Sequence, residues 1–136
     1  MFRGKDIRVL VVDDDKTSQM IVERMLKKLS FSVTTTDNAF EALAELGIDR
    51  THSSQNSSEF DLIISDFVMP QMTGFELLQR LKASPLRNVP VVIMSSDNIQ
   101  DRIERCLSEG AERYLVKPVR FEQIKELSGY IRKLSN

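Results

Sequence analysis

Five short apolar runs that alternate with helix-like segments constrain the fold of this 136-residue chain more than any other feature. Most of the runs are rich in Val, Ile and Leu, which is typical of strands buried on both faces of a sheet. We predict strands at 7–12, 31–36, 60–65, 89–96 and 114–116. A helical segment follows each run, and this alternation predicts βαβ units, a parallel sheet and helices on both faces.

The helical segments carry apolar residues spaced three or four apart, which predicts one buried stripe on each helix. We place Ile21 on the stripe of the first helix and Leu134 on that of the last. Ile99, Cys106 and Leu107 belong to the stripe of the fourth helix. We interpret Cys106, the single cysteine, as a buried structural thiol. The polar segment 48–59 breaks the pattern and is predicted to be a surface loop, with His52 solvated in it.

Composition limits the function classes. The chain has 19 basic and 20 acidic residues and a formal net charge of −1, and no basic stripe indicates nucleic-acid binding. The apolar runs are too short to cross a membrane, and the N-terminus does not resemble a signal peptide. One cysteine excludes an intrachain disulfide and suits a reducing compartment. We expect one domain, a monomer in the cytoplasm or nucleus, without nucleic-acid or membrane partners.

Polar side chains follow the predicted strands. Asp13 and Asp14 follow the first strand, Asp66 the third, Ser95 the fourth and Lys117 the fifth. The carboxyl ends of parallel strands meet at one edge of the sheet, which is where ligands bind in such folds. Each residue alone has an ordinary explanation, such as a helix cap or a solvated lysine. Their convergence on one edge is what indicates a site.

The residue types at this edge suit phosphoryl transfer. Clustered carboxylates are tolerated when a cation lies among them, and Mg²⁺ prefers carboxylate oxygens, waters and phosphate. Asp66 is the candidate nucleophile that forms an acyl phosphate, and Asp13 and Asp14 are candidate metal ligands. Lys117 and Ser95 are candidate donors to the phosphoryl oxygens. Asp15 we assign to the cap of the first helix.

A phosphatase is the rival interpretation. The stretch "DDDKT" fits the nucleophile motif of haloacid-dehalogenase-like phosphatases, with Asp13 as nucleophile and Asp15 as acid/base. Ser95 and Lys117 would then represent the later motifs. That family needs a further acidic motif after the lysine, and the interpretation leaves Asp66 unexplained.

The acidic pair, "SDFVMPQMTG" around Asp66, the hydroxyl after "VVIM" and the pair Lys117-Pro118 together resemble the receiver domain of two-component response regulators. The resemblance implies a flavodoxin-like, CheY-like α/β fold with strand order 2-1-3-4-5 and five helices. It implies a single receiver domain over 1–136, with a core of about 6–134 and no output domain. It also implies Mg²⁺ bound by Asp13, Asp14, Asp66 and the backbone carbonyl of Val68.

The resemblance further implies a signalling phosphoacceptor rather than an enzyme. A histidine phosphotransfer protein or histidine kinase would donate a phosphoryl group to Asp66, and the domain would catalyse part of this transfer and its own dephosphorylation. Ser95 and Tyr114 take the positions of the family's switch residues. The surface of the fourth helix, fifth strand and fifth helix would change and bind a downstream protein.

"VPVVIMSSDN", "RIERCLSEGAE" and "YLVKPVR" are similar to plant type-A response regulators of the cytokinin phosphorelay, which implies a negative regulator. The chain departs from that group at Asp15, where serine is usual. A receiver that belongs to a hybrid histidine kinase is the alternative.

Overall fold

A computed structural model describes residues 6–48 and 59–135. The strands are β1 (Arg8–Val12), β2 (Ser32–Thr36), β3 (Leu62–Asp66), β4 (Val91–Ser95) and β5 (Arg113–Val116). The helices are α1 (Lys16–Lys28), α2 (Ala39–Glu45), α3 (Gly74–Lys82), α4 (Gln100–Ser108) and α5 (Phe121–Ser135). The expected loop at 48–59 and His52 fall largely or wholly outside the described residues.

The five strands form one parallel sheet in the order β2-β1-β3-β4-β5. This confirms the expected flavodoxin-like topology. β3, which ends at Asp66, is the central strand, and β1 lies directly beside it. Across the helices of the described segments, none is both long and apolar enough to cross a membrane.

Alternate residues of β1, β3 and β4 face two separate apolar cores. On β1, Val9 and Val11 pack with the buried residues of α1 and α5, while Leu10 and Val12 pack with those of α2 and α3. Both cores contain residues of the central strand, because side chains of a strand point alternately to opposite faces. The strands therefore need apolar residues at nearly every position, and this is why the sequence shows runs rather than alternation.

The buried stripes of three helices are narrower than the sequence pattern predicts. Ile21, Ile99, Leu107 and Leu134 are each between 45 and 54% exposed. Within α4 only Cys106 is buried, as predicted for this thiol. Burial also raises the pKa of the Cys106 thiol, against the opposing charges of nearby arginines. The sheet covers a limited arc of each helix, so residues at the margin of an apolar stripe remain in contact with water.

α4 is held in part by arginine side chains. The guanidinium of Arg102 lies 4.2 Å from the centroid of the Phe67 ring, and that of Arg105 lies 4.5 Å from the centroid of the Phe75 ring. Such cation–π contacts contribute about 0.5–1 kcal/mol each at exposed sites. The N-cap residue, Ile99, makes no side-chain cap hydrogen bond. α4 is therefore attached by weaker interactions than a fully apolar stripe would supply.

A close approach after β3 requires glycine at position 74. The Gly74 backbone N–H donates to the carbonyl of Phe67 at 2.8 Å, and a Cβ at this position would overlap the carbonyl oxygen of Asp66. Thr73 and Glu76 form a capping box that begins α3 at this point. The turn that follows Asp66 is thus tied directly to the start of a helix.

Replacing Gly74 with Ala should destabilise the fold by about 1–3 kcal/mol, because backbone atoms must move to admit the methyl group. The urea midpoint of unfolding measures this. Gly129→Ala is the matched control: nothing lies within 4 Å of a Cβ on this helical glycine, and the variant should gain about 0.5–1 kcal/mol. Equal effects at the two positions would contradict the close approach.

Candidate functional site

Three carboxylates meet at the carboxyl edge of the central strands. One oxygen each from Asp13, Asp14 and Asp66 lies within 4.8 Å of the others. Asp13 is fully buried, Asp66 is 6% exposed, and Asp14 is exposed. We refer to these three residues as the carboxylate cluster. The strand register places Val12 of β1 beside Ser65 of β3, so Asp13 and Asp66, the next residues along the chain, lie at the same edge of the sheet.

Lys117 supplies the positive charge of the site. Its Nζ donates to Asp13 Oδ2 at 3.1 Å and lies 3.4 Å from Asp66 Oδ2. The lysine side chain is 15% exposed, so these charges interact through little water. The structure thus brings Lys117 together with the three predicted carboxylates, and Lys117 lies nearer to Asp13 than to Asp66, the candidate nucleophile. One ammonium against three carboxylates leaves an excess of negative charge that suits a divalent cation.

The electrostatics of Asp66 reflect this crowding. Burial and the neighbouring charge of Asp13 raise the pKa of Asp66 to about 6, while the Lys117 ammonium acts in the opposite direction. Most of the Asp66 population is therefore ionised at neutral pH. Burial and the charge of Asp13 make this ionised form less stable than an ionised carboxylate in water. An ionised, partly desolvated carboxylate at a strand end is a competent nucleophile.

Ser95 and Tyr114 are linked through one residue that sequence reasoning missed. The backbone N–H of Asp97 donates to Ser95 Oγ at 3.1 Å, and the Tyr114 hydroxyl donates to the Asp97 carbonyl at 3.1 Å. Arg102 pairs with Asp97 Oδ2 at 2.6 Å. Ser95 is fully buried at the end of β4, beside the strand that carries Asp66. Both predicted switch residues thus contact the loop between β4 and α4.

Two further aspartates lie outside the carboxylate cluster. Asp15 is the N-cap of α1, as predicted, and its carboxylate accepts from the Thr17 backbone N–H. Asp37 pairs with Lys16 at 2.7 Å, and this hydrogen bond is the largest cause of the lowered pKa of Asp37. The phosphatase alternative requires Asp15 as an acid/base, and its capping role does not support that alternative.

Gln19 is a second residue that sequence reasoning missed. It lies on α1 with Val22 and Leu26, spaced three and four residues apart on the buried stripe. The amide donates to the carbonyl of Asp13 at 3.0 Å. The available signal was a polar residue in register with an apolar stripe, because buried amides nearly always bind specific partners.

Comparison with known proteins identifies the class of protein that has this fold and site. Residues 9–128 match the family model described as "Response regulator receiver domain". The chain belongs to this family. Curated relatives of this chain include plant two-component response regulators, which confirms the resemblance drawn from the motifs.

The curated relatives include two proteins of Arabidopsis thaliana. Two-component response regulator ARR3 is 44% identical over 93% of this chain, and two-component response regulator ARR5 is 45% identical over 95%. The chain spans 56% of the length of ARR3 and 72% of that of ARR5.

Solved structures share the fold. Chemotaxis protein CheY4 of Vibrio cholerae superposes with a TM-score of 0.78 at 28% identity, over 93% of this chain and 99% of that one. The receiver domain of a sensor histidine kinase from Pseudomonas aeruginosa PAO1 has a TM-score of 0.76 at 24% identity, over 93% of this chain and 97% of its own. The latter is described with a magnesium ion coordinated in its active-site cleft.

Replacing Asp66 with Asn should stabilise the protein in a chelator near neutral pH, by about 1–2 kcal/mol of unfolding free energy. The pKa of Asp66 is raised in the folded state, so the wild-type protein loses stability as pH rises through about 6. The advantage of Asp66→Asn should therefore shrink as pH falls towards the ordinary carboxyl pKa. Urea titrations over a series of pH values measure the difference.

Glu126→Gln on α5 is the control, because Glu126 is an exposed carboxylate that does not belong to the carboxylate cluster. It should change stability little at any pH. Asp14→Asn should give a smaller gain than Asp66→Asn, since the Asp14 side chain is exposed. A lower urea midpoint for Asp66→Asn at neutral pH would contradict the crowding of charge.

Proposed function

We propose that the chain is a phosphoacceptor response regulator that receives a phosphoryl group on Asp66 from a phosphohistidine protein. The observation that carries the proposal is the Asp66 carboxylate at the end of the central strand, with an Asp13 oxygen within 4.8 Å and Lys117 Nζ at 3.4 Å. In the transfer, an Asp66 oxygen forms a bond to phosphorus. The bond from phosphorus to the donor imidazole nitrogen breaks, and its electron pair returns to that nitrogen. In hydrolysis, water would attack phosphorus and the bond from phosphorus to the Asp66 oxygen would break, which releases inorganic phosphate and regenerates the Asp66 carboxylate.

The donor set fits Mg²⁺. Asp13, Asp14 and Asp66 would hold the ion together with the backbone carbonyl of Val68, which lies two residues after the acceptor. When bound, Mg²⁺ neutralises charge on the phosphoryl oxygens. The excess negative charge of the carboxylate cluster over Lys117 supports this assignment.

Lys117 and Ser95 act on the phosphoryl group in this proposal. Lys117 already lies 3.4 Å from Asp66 Oδ2, so its ammonium is placed to pair with a phosphoryl oxygen on the same carboxyl group. The Ser95 hydroxyl accepts from the Asp97 N–H and retains its own hydrogen for donation. Both groups would stabilise the charge that the phosphoryl group brings to a buried edge of the sheet.

The contacts of Asp97 with Ser95 and Tyr114 suggest how the signal spreads. Phosphorylation adds nearly two negative charges and three acceptor oxygens at Asp66. Ser95 would move towards them and draw the loop at Asp97, to which Tyr114 also binds. The surface formed by α4, β5 and α5 would then change shape and alter binding of a downstream protein. Weak attachment of α4 supports this, because weakly packed elements are the ones that move.

The donor would approach along a groove beside the carboxylate cluster. This groove, about 320 Å³, is lined by residues of α1, including Ile21, and by Lys117, Pro118 and Ser96. It is continuous with the site through Lys117. A histidine phosphotransfer protein or histidine kinase would place its phosphorylated imidazole there. Exposed Ile21 gives such a partner apolar surface to bury.

We propose that this receiver domain acts in the cytoplasm or nucleus as a negative regulator of a cytokinin-type phosphorelay. The similarity to plant two-component response regulators supports this role. In such a role it competes for phosphoryl groups and contacts other signalling proteins. The self-phosphotransfer and self-dephosphorylation proposed above make it a signalling protein rather than an enzyme with a separate substrate.

Incubation with acetyl phosphate and Mg²⁺ should add one phosphoryl group, detected by intact-mass spectrometry. The adduct should be absent in Asp66→Asn and in chelator, because both remove a required group. An adduct that survives in Asp66→Asn and disappears in Asp13→Asn would contradict the proposal and favour the phosphatase alternative.

Ser95→Ala should weaken the structural response to phosphorylation, since the hydroxyl that links the phosphoryl group to the Asp97 loop is lost. Hydrogen exchange of α4 amides, compared with and without acetyl phosphate, measures the response. Ser96→Ala is the matched control because Ser96 is the adjacent, exposed serine. A wild-type response in Ser95→Ala would refute the proposed switch.

A further inference from the structure

The Gln19 amide connects three parts of the fold at the carboxyl edge of the sheet. Its Nε2 is 3.0 Å from the Asp13 carbonyl, 3.1 Å from the Thr36 carbonyl and 3.1 Å from Asp37 Oδ1. Gln19 is 6% exposed. An amide nitrogen carries two hydrogens, so three acceptors share them. One buried group therefore joins the end of β1, the end of β2 and the turn after β2.

The Asp13 carbonyl belongs to the peptide unit that continues into Asp14. The other polar groups of Asp13 have separate partners: its N–H donates to Thr36, its Oδ1 accepts from Asp15 N–H, and its Oδ2 accepts from Lys117. Gln19 thus fixes the orientation of the peptide between two members of the carboxylate cluster. The exposed Asp14 side chain takes its direction from this backbone.

The same amide acts on a fourth carboxylate. Asp37 Oδ1 receives hydrogen bonds from Gln19 at 3.1 Å and from the Lys16 ammonium at 2.7 Å. These donors hold Asp37 at the edge strand, apart from the three acids of the cluster. Without them, a further negative charge near Asp13 would be free to change position.

We propose that Gln19 is a positioning residue for divalent-cation binding at the carboxylate cluster. The inference rests on the proposed function, because it takes the cluster to be the Mg²⁺ site. Gln19 touches none of the reacting atoms in this assignment. It acts by holding the Asp13–Asp14 peptide in the orientation that presents both carboxylates to one ion, and groups that orient ligands in this way strongly affect metal affinity.

Replacing Gln19 with Met keeps the length of the side chain and removes its donors. The Kd for Mg²⁺ should rise about tenfold, the lower end of the range for loss of a group that orients metal ligands. Backbone amide spectra recorded during a Mg²⁺ titration measure this Kd without any phosphoryl transfer. The urea midpoint in chelator separates the effect from general destabilisation, because a purely structural role would lower the midpoint and leave the Kd of the folded variant unchanged.

Gln79→Met is the matched control, since Gln79 is an exposed glutamine on α3; its Kd should equal that of the wild type. If Gln19→Met does not fold in chelator, the same Mg²⁺ titration is made with Gln19→Asn. The asparagine amide is too short to reach all three oxygens. A folded Gln19 variant with the wild-type Kd would overturn the inference, as would a wild-type protein that binds no Mg²⁺. Failure of acetyl phosphate to label a Mg²⁺-binding wild type would contradict the proposed function alone.

Discussion

Repulsion among the three carboxylates of the cluster, which lie beside the Lys117 ammonium, is the constraint on which the site depends. Oxygens within 4.8 Å of one another repel by a few kcal/mol per pair at an effective dielectric constant of about 20. Lys117 offsets part of this through Asp13 and Asp66. The packing of the sheet, whose central strands are buried on both faces, offsets the rest of this repulsion. The parallel topology is what allows strand ends distant in sequence to meet.

The raised pKa of Asp66 and its proposed chemistry have a common origin. Burial and the charge of Asp13 make the ionised carboxylate less stable than it would be in water. In the proposed function, a bound cation would offset that unfavourable charge. Groups with perturbed pKa values such as Asp66 cluster at functional sites, which supports the proposed role of this carboxylate.

The loop after β4 connects the end of this strand to β5 and α4. Asp97 binds Ser95 and Tyr114 through its backbone and Arg102 through its side chain. Arg102 in turn lies over the ring of Phe67, the residue after Asp66. α4 buries only Cys106, so little apolar packing resists its displacement. The element proposed to respond is thus one of the least firmly packed in the described segments.

The sequence by itself determined the sheet, the order of elements and the chemical types at the site. Apolar runs revealed strands buried on both faces, and the placement of Asp13, Asp66 and Lys117 after those runs predicted their convergence. The Asp15 cap was also predictable, because capping depends on residues close in sequence. Strand order was available only through resemblance to a family, since local patterns do not encode which strands pair.

Only the tertiary structure decided the partners of these groups. The deciding contacts join residues that are 6 to 104 positions apart in the chain. They are the shorter contact of Lys117 to Asp13, the hydrogen bonds of Gln19 to two strand ends, and the hydrogen bond between Tyr114 and Asp97. The exposure of Ile99 and Leu107 likewise depends on how much of α4 the sheet covers. Helical periodicity indicates the direction of an apolar stripe, whereas its buried width is set by the packing of elements that are distant in the chain.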